Sequence, residues 1–171
     1  GMMGAGIALV SAQAGLEVVL IDQTQAAADK GKAYSEAYMD KGIKRGKATA
    51  EKKQAVLDKI RATTDYQALS NVDLIIEAVF EDPKVKAEIT GAVEAVIPKE
   101  CIFASNTSTL PISELAKASE RPEQFIGIHF FSPVERMALV EIIKGKATGD
   151  RAVAKALDYV RQIRKTPIVV N

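Results

Sequence analysis

The chain alternates short apolar runs with longer stretches in which apolar residues recur at helical spacing. Small residues followed by IALVSAQA and then Gly15 predict a helix over 1–15, because a glycine just past the last turn tolerates the left-handed conformation that ends a helix. EVVLID (17–22) reads as a short strand ending in an acid. Residues 24–61 are rich in Ala, Lys, Glu and Gln and break around Gly42 to Thr49, which predicts a long helical hairpin. ATTDYQAL then holds a short strand and a turn. VDLIIEAVF (72–80) has the β-branched run of a buried strand, and Pro83 opens a helix reaching Val96, since a first helical turn has no use for the amide that proline lacks. CIFASN (101–106), QFIGIHF (124–130), MALVEIIKG (137–145) and TPIVVN read as further strands; ISELAKA and DRAVAKALDYVRQI read as helices.

Strands alternating with helices predict a doubly wound, mostly parallel α/β sheet covered on both faces, in one domain over 1–171. The link from Phe131 to Met137 is too short for a crossover helix, so the strand at 137–145 is expected to run antiparallel to its predecessor, near the sheet edge.

Composition narrows the function. Apolar residues make up 47% and are spread along the whole length, which excludes a disordered chain. A net charge of +1 with interspersed signs leaves no nucleic-acid footprint. No apolar run approaches the roughly 20 residues of a membrane span, and no basic segment precedes the first apolar stretch as a secretory signal requires. Cys101 and His129 are single, so an internal disulfide is impossible and a zinc site lacks most of its usual ligands. The reducing cytoplasm is the expected compartment, and any imidazole chemistry falls to His129.

Gly1 and Gly4 open the first helix, and Asp22 ends the next strand roughly 20 residues on, the spacing of a dinucleotide fingerprint. Glycine lets the backbone approach a pyrophosphate, the helix start offers amide donors, and the acid holds a ribose hydroxyl pair while repelling the extra phosphate of NADP. A glycine-rich helix start beside an ordinary aspartate would look the same. The fingerprint's first glycine and the strand before it are not among these residues. That strand is central in this fold, so the natural polypeptide is expected to extend upstream.

In open α/β sheets, ligands sit beyond the carboxyl ends of the strands, where Asp22, Glu81, Ser105 to Ser108 and His129 are expected. Each alone reads equally as a cap or turn residue; together they suggest a site. Glu141 sits within an apolar strand, and a buried carboxylate needs a partner or a proton. In a hairpin, His129 is that partner. The other reading has Glu141 facing solvent at an edge and His129 satisfied in the core. A paired carboxylate orients an imidazole and stabilises its charged form, as a base removing an alcohol proton requires. Ser108 is then available to bind the reacting oxygen.

GMMGAGIA, LIDQT, EAVFEDPKVK, ASNTSTLPISELA, RPEQFIGIHFFSPVERMALVEII and KTPIVVN together resemble the NAD-binding domain of 3-hydroxyacyl-CoA dehydrogenases, most closely that of the bacterial fatty-acid oxidation complex alpha subunit, a multifunctional enzyme. The resemblance covers essentially the whole chain. It implies NAD as cofactor, a 3-hydroxyacyl-CoA substrate oxidised to the 3-ketoacyl-CoA in β-oxidation, and a parent enzyme that associates with a thiolase subunit. It implies His129 as the catalytic histidine, Glu141 as its acid, and Ser108 as the serine touching both cofactor and substrate oxygen. For the cofactor it implies Gly1, Met3 and Gly4 at the pyrophosphate and Asp22 at the ribose. Val79, Phe80 and Glu81 then line the nicotinamide-side ribose, with Lys86 nearby. The hairpin with Lys41, Lys44, Arg45 and Lys47 resembles an arm that meets coenzyme A; a solvated basic face is the plainer alternative.

Two features depart from the family. Ser132 stands where the family usually has an asparagine, so its cofactor contact is expected to be weaker or carried by water. The chain stops at Asn171, where the family continues into a helical domain that closes the cleft, so these residues alone are expected to turn over poorly. A short-chain 3-hydroxybutyryl-CoA dehydrogenase and a non-catalytic nucleotide-binding module are the alternatives.

Overall fold

The computed structural model describes residues 1–171, which form two compact units: Gly1–Asp65 with Ser132–Arg136, and Tyr66–Phe131 with Met137–Asn171. Both are α/β, and every strand pairing but one is parallel.

The first unit holds helix α1 (Met2–Gln13), strand β1 (Val18–Ile21), helices α2 (Gln25–Lys44) and α3 (Ala50–Asp58), and strand β2 (Ile60–Thr63). Every residue of α1 from Ala5 to Ala12 is buried, which its nearly all-apolar, small-residue sequence allows. Gly15 takes φ +88° just past the helix, as expected of a terminating glycine. Ala8, Leu9 and Ala12 of α1 pack with Met39, Val56 and Ile60 to form the core. Thr24 and Thr49 cap α2 and α3 by accepting the amides of Ala27 and Lys52. An ion pair of 2.8 Å between Lys53 and Asp40 crosses the hairpin. The hairpin is shorter than expected: Ile60 and Arg61 lie in β2, parallel to β1, because Ile60 is core and its alternation outweighs the helical run before it. The short strand and turn expected in ATTDYQAL are the end of β2 and a 3₁₀ turn over Tyr66–Leu69.

The second unit holds strand β3 (Leu74–Glu77), helix α4 (Pro83–Glu94), strand β4 (Ile102–Ser105), helix α5 (Ile112–Leu115), strands β5 (Phe125–Phe130) and β6 (Leu139–Ile143), helix α6 (Asp150–Gln162) and strand β7 (Thr166–Val170). These strands form one five-stranded sheet in chain order, with β6 antiparallel to β5 as the short link demanded. The strand expected over 72–80 ends at Glu77, and Phe80 is 79% exposed, because Asp82 caps α4 and the chain must turn before it. Asp82 accepts the amides of Lys84 and Val85, with Pro83 in the first turn.

Alternation along β5 sorts the two faces of this sheet. Ile126, Ile128 and Phe130 are buried on one face, where the Phe130 ring meets Tyr159 of α6 edge-on at 6.5 Å. Gly127 and His129 lie on the other, beneath α5. A Cβ at Gly127 would fall 2.7 Å from Ile112 and 2.9 Å from Ile143, so only glycine lets α5 settle this close. No helix of the protein is long and apolar enough to cross a membrane.

Candidate active site

In the first unit, the start of α1 and the end of β1 come together. The first intrahelical bond runs from the Ala5 amide to the Gly1 carbonyl (3.0 Å), so the amides of Met2, Met3 and Gly4 precede the helix ladder and are free to serve an anion. Gly1 caps the helix without a side chain, no acid lies in its first turn, and a Cβ at Gly1 or Gly4 would meet nothing within 4 Å. This is an open cradle of amides and partial positive charge, suited to a pyrophosphate. Asp22 follows β1 directly, with its carboxylate 3.1 Å from the Gly1 nitrogen. Its other oxygen accepts the Gln23 amide at 2.8 Å, a bond that favours the ionised form. An ionised acceptor beside an amide cradle is the arrangement a dinucleotide needs, so these residues fit NAD. The exposed Ser132 also belongs to this unit, on a segment held where Val134 packs against Gly6 and Glu135 accepts from Tyr34.

In the second unit, His129 and Glu141 lie directly opposite each other on β5 and β6. Nδ1 of His129 is 2.9 Å from Oε1 of Glu141. The side chains are 16% and 33% exposed, so the expected buried carboxylate is only half-buried: Glu141 does pair with the histidine but keeps contact with solvent. With Nδ1 engaged, Nε2 is the ring nitrogen left for a ligand. The Phe131 ring, 4.6 Å from the imidazole and tilted, covers it on one side. Both residues line an open cavity of about 350 Å³ together with Ser108, Thr109, Ser113 and Lys144. Ser108 is exposed there, as a residue meant to touch a ligand oxygen must be.

The segment after β3 is tied to the loop after β4. Glu77 accepts the Val79 amide at 3.0 Å, and exposed Glu81 accepts from the Thr107 hydroxyl, which in turn takes the Leu110 amide at 3.0 Å. Lys86 lies on α4, the helix that follows. It is 1% exposed, and its ammonium donates to Glu77 (2.6 Å), the Asn106 carbonyl (3.2 Å) and Ser105 (3.4 Å). Three acceptors satisfy its three hydrogens, so Lys86 ties the ends of β3 and β4 together. Sequence reasoning missed Glu77, whose signal was one acid inside an apolar strand, and placed Asn106 at a strand end within Ser105 to Ser108 without giving it a role of its own. Lys41, Lys44, Arg45 and Lys47 are all exposed on the hairpin. Cys101 is buried and its thiol pushed up to about 11, which removes it as a nucleophile.

The amide cradle with its acid lies in the first unit, and the histidine–glutamate pair on its hairpin lies in the second. The family model for the 3-hydroxyacyl-CoA dehydrogenase NAD-binding domain matches residues 1–171. The chain belongs to this family. Its cofactor is NAD. Among solved structures, the family domain is similar to (S)-3-hydroxybutyryl-CoA dehydrogenase from Ralstonia eutropha, at 40% identity and TM-score 0.97 over 99% of this chain and 60% of that one. It also matches 3-hydroxybutyryl-CoA dehydrogenase from Escherichia coli K12 at 34% identity and TM-score 0.95, over 99% of this chain and 36% of that one. The dehydrogenase part of multifunctional enzyme 1 from C. elegans matches at 32% identity and TM-score 0.88, over 99% and 39%. The chain thus spans at most about 60% of the length of these relatives.

Proposed function

We propose that this family domain serves the reversible oxidation of an (S)-3-hydroxyacyl-CoA to the 3-ketoacyl-CoA. The observation that carries the reading is the 2.9 Å contact between His129 and Glu141 at the rim of the 350 Å³ cavity. Bound NAD supplies the hydride acceptor. His129 takes the hydroxyl proton at Nε2 while Glu141 fixes the ring through Nδ1 and balances the charge it gains. Ser108 donates its hydroxyl hydrogen to the substrate oxygen, favouring the ketone's developing polarity. The amides at Met2, Met3 and Gly4, left open by Gly1, hold the pyrophosphate, and Asp22 accepts from the ribose hydroxyls. Val79, Phe80 and Glu81 line the second ribose, and Ser132 supplies a short polar contact where an amide is usual. A pure nucleotide-binding module needs neither His129 nor Glu141, which weighs against that alternative.

A second reading narrows the substrate to 3-hydroxybutyryl-CoA, favoured by the names of the Ralstonia and E. coli relatives. Membership in a multifunctional β-oxidation enzyme is favoured by the C. elegans relative; a cytoplasmic setting and a thiolase partner belong to that version of the proposal. NADH formation by the complete natural polypeptide, assayed with short, medium and long (S)-3-hydroxyacyl-CoA substrates, tests both. Turnover across the series supports the broad enzyme, turnover of the four-carbon substrate alone the narrow one, and no turnover with any refutes the activity.

A further inference from the structure

The buried ion pair between Lys86 and Glu77 has no place in the chemistry above, and it does not explain itself as a stabilising device. Its side chains are 2% and 1% exposed, and desolvating two charges costs about as much as their attraction returns. What the pair does is hold a turn. Glu77 ends β3 and accepts from Ser105 (2.7 Å) at the end of β4, while Lys86 of α4 binds the carbonyl of the next residue, Asn106, at 3.2 Å. The Asn106 amide donates to the Glu77 carbonyl at 2.8 Å. Asn106 is thereby pinned through its backbone at both ends.

Its side chain then reaches β5. The ladder between β4 and β5 ends at the pairing of Ser105 with Gly127, so β5 outruns its parallel neighbour over 128–130. His129 lies in that overhang, held by β6 on one side only. On the other side, Oδ1 of Asn106 accepts the Phe130 amide at 2.9 Å, doing with a side chain what a longer β4 would do with its backbone. The residue after the histidine is fixed from both edges, and the ring's register opposite Glu141 is fixed with it.

We propose that Asn106 is a positioning residue that extends the sheet to hold His129 against Glu141, and that the buried Lys86–Glu77 pair exists to hold Asn106. The proposal rests on the reading of His129 as the base. A base displaced by about an ångström loses on the order of 100-fold in rate. In the complete natural polypeptide, Asn106→Ala lowers kcat by about 10–100-fold and leaves KM for NAD within about twofold, since no cofactor contact is removed. Asn106→Asp retains an acceptor for the Phe130 amide and restores kcat to within about threefold.

The same variants are read by NMR. The downfield Nδ1 proton of His129, assigned by its absence in His129→Gln, is seen in the parent protein and in Asn106→Asp but lost to exchange in Asn106→Ala. A structural role alone would lower the amount of folded protein without this pattern. Full kcat in Asn106→Ala overturns the proposal, as does a loss that Asn106→Asp does not rescue, or a retained Nδ1 signal. If His129→Gln itself turns over normally, the reading of the base fails instead; if His129→Gln is inactive and Asn106→Ala is not, only the positioning role fails.

Discussion

Replacing Lys86 by methionine preserves most of the side chain's volume and removes its charge. The parent pair is buried to 2% and 1% exposure with 2.6 Å between its charged atoms, so the variant leaves the Glu77 carboxylate desolvated and without a cation. Removing one partner of such a pair costs about 3–5 kcal/mol. The lost donation to the Asn106 carbonyl falls within that figure, because a net hydrogen bond contributes only about 1 kcal/mol. Adding Glu77→Gln neutralises the stranded charge while still accepting the Val79 amide, and brings the cost down to about 1–2 kcal/mol. Hydrogen exchange at the amides of β4 and β5 in the complete polypeptide reads the effect locally. The single variant raises opening by about 10²–10⁴-fold, and the double variant recovers at least a tenfold part of it. A single variant within about 1 kcal/mol of the parent would refute the reasoning, because a truly buried, unpaired carboxylate cannot be that cheap. So would a double variant as unstable as the single.

Other outcomes follow from the same geometry. Glu141→Gln keeps the shape beside His129 but removes the charge that balances a protonated ring, and kcat falls by about 10²–10⁴-fold in the NADH assay while NAD affinity holds. Gly127→Ala forces a methyl to 2.7 Å from Ile112 and 2.9 Å from Ile143, and costs about 1–3 kcal/mol in urea unfolding. In an absorbance titration Tyr34 ionises well above the ordinary phenol value, because Glu135 accepts its hydroxyl hydrogen and adds its own negative charge, which raises the phenol to about 12. Below pH 10, the unperturbed value, this contact's contribution to stability is complete; it disappears as pH rises toward 12, because the folded protein resists an ionisation the unfolded chain accepts. Tyr34→Phe removes one tyrosine's worth of absorbance change near pH 12.

Much of this was legible in the sequence where local pattern and chemistry coincide. The glycine-rich start of α1, the acid after β1 and the short link before β6 each have one cheap structural solution, and the structure adopts it. The pairing of His129 with Glu141 was open to two readings until the register was known, because a slip of one residue would have turned the glutamate to the other face. Glu77 was lost inside the apolar run LIIEAVF, and its partner lies nine residues on across a strand-to-helix turn whose angle no periodicity encodes. The role of Asn106, though not its place at a strand end, was hidden for a related reason. Its partner amide on Phe130 is 24 positions away, and only the unequal lengths of β4 and β5 leave that amide in need of an acceptor. The helical hairpin overran into β2 because Lys, Ala and Gln favour helix locally, whereas burial of Ile60 decides the strand.

The central claim is that the lone imidazole removes the substrate's hydroxyl proton. Single-turnover NADH formation by the complete polypeptide carrying His129→Gln, with saturating (S)-3-hydroxyacyl-CoA and NAD, tests it most directly. The account predicts a rate lower by about 10²–10⁴-fold, with NAD binding measured by fluorescence titration unchanged. A rate within a few-fold of the parent would contradict it.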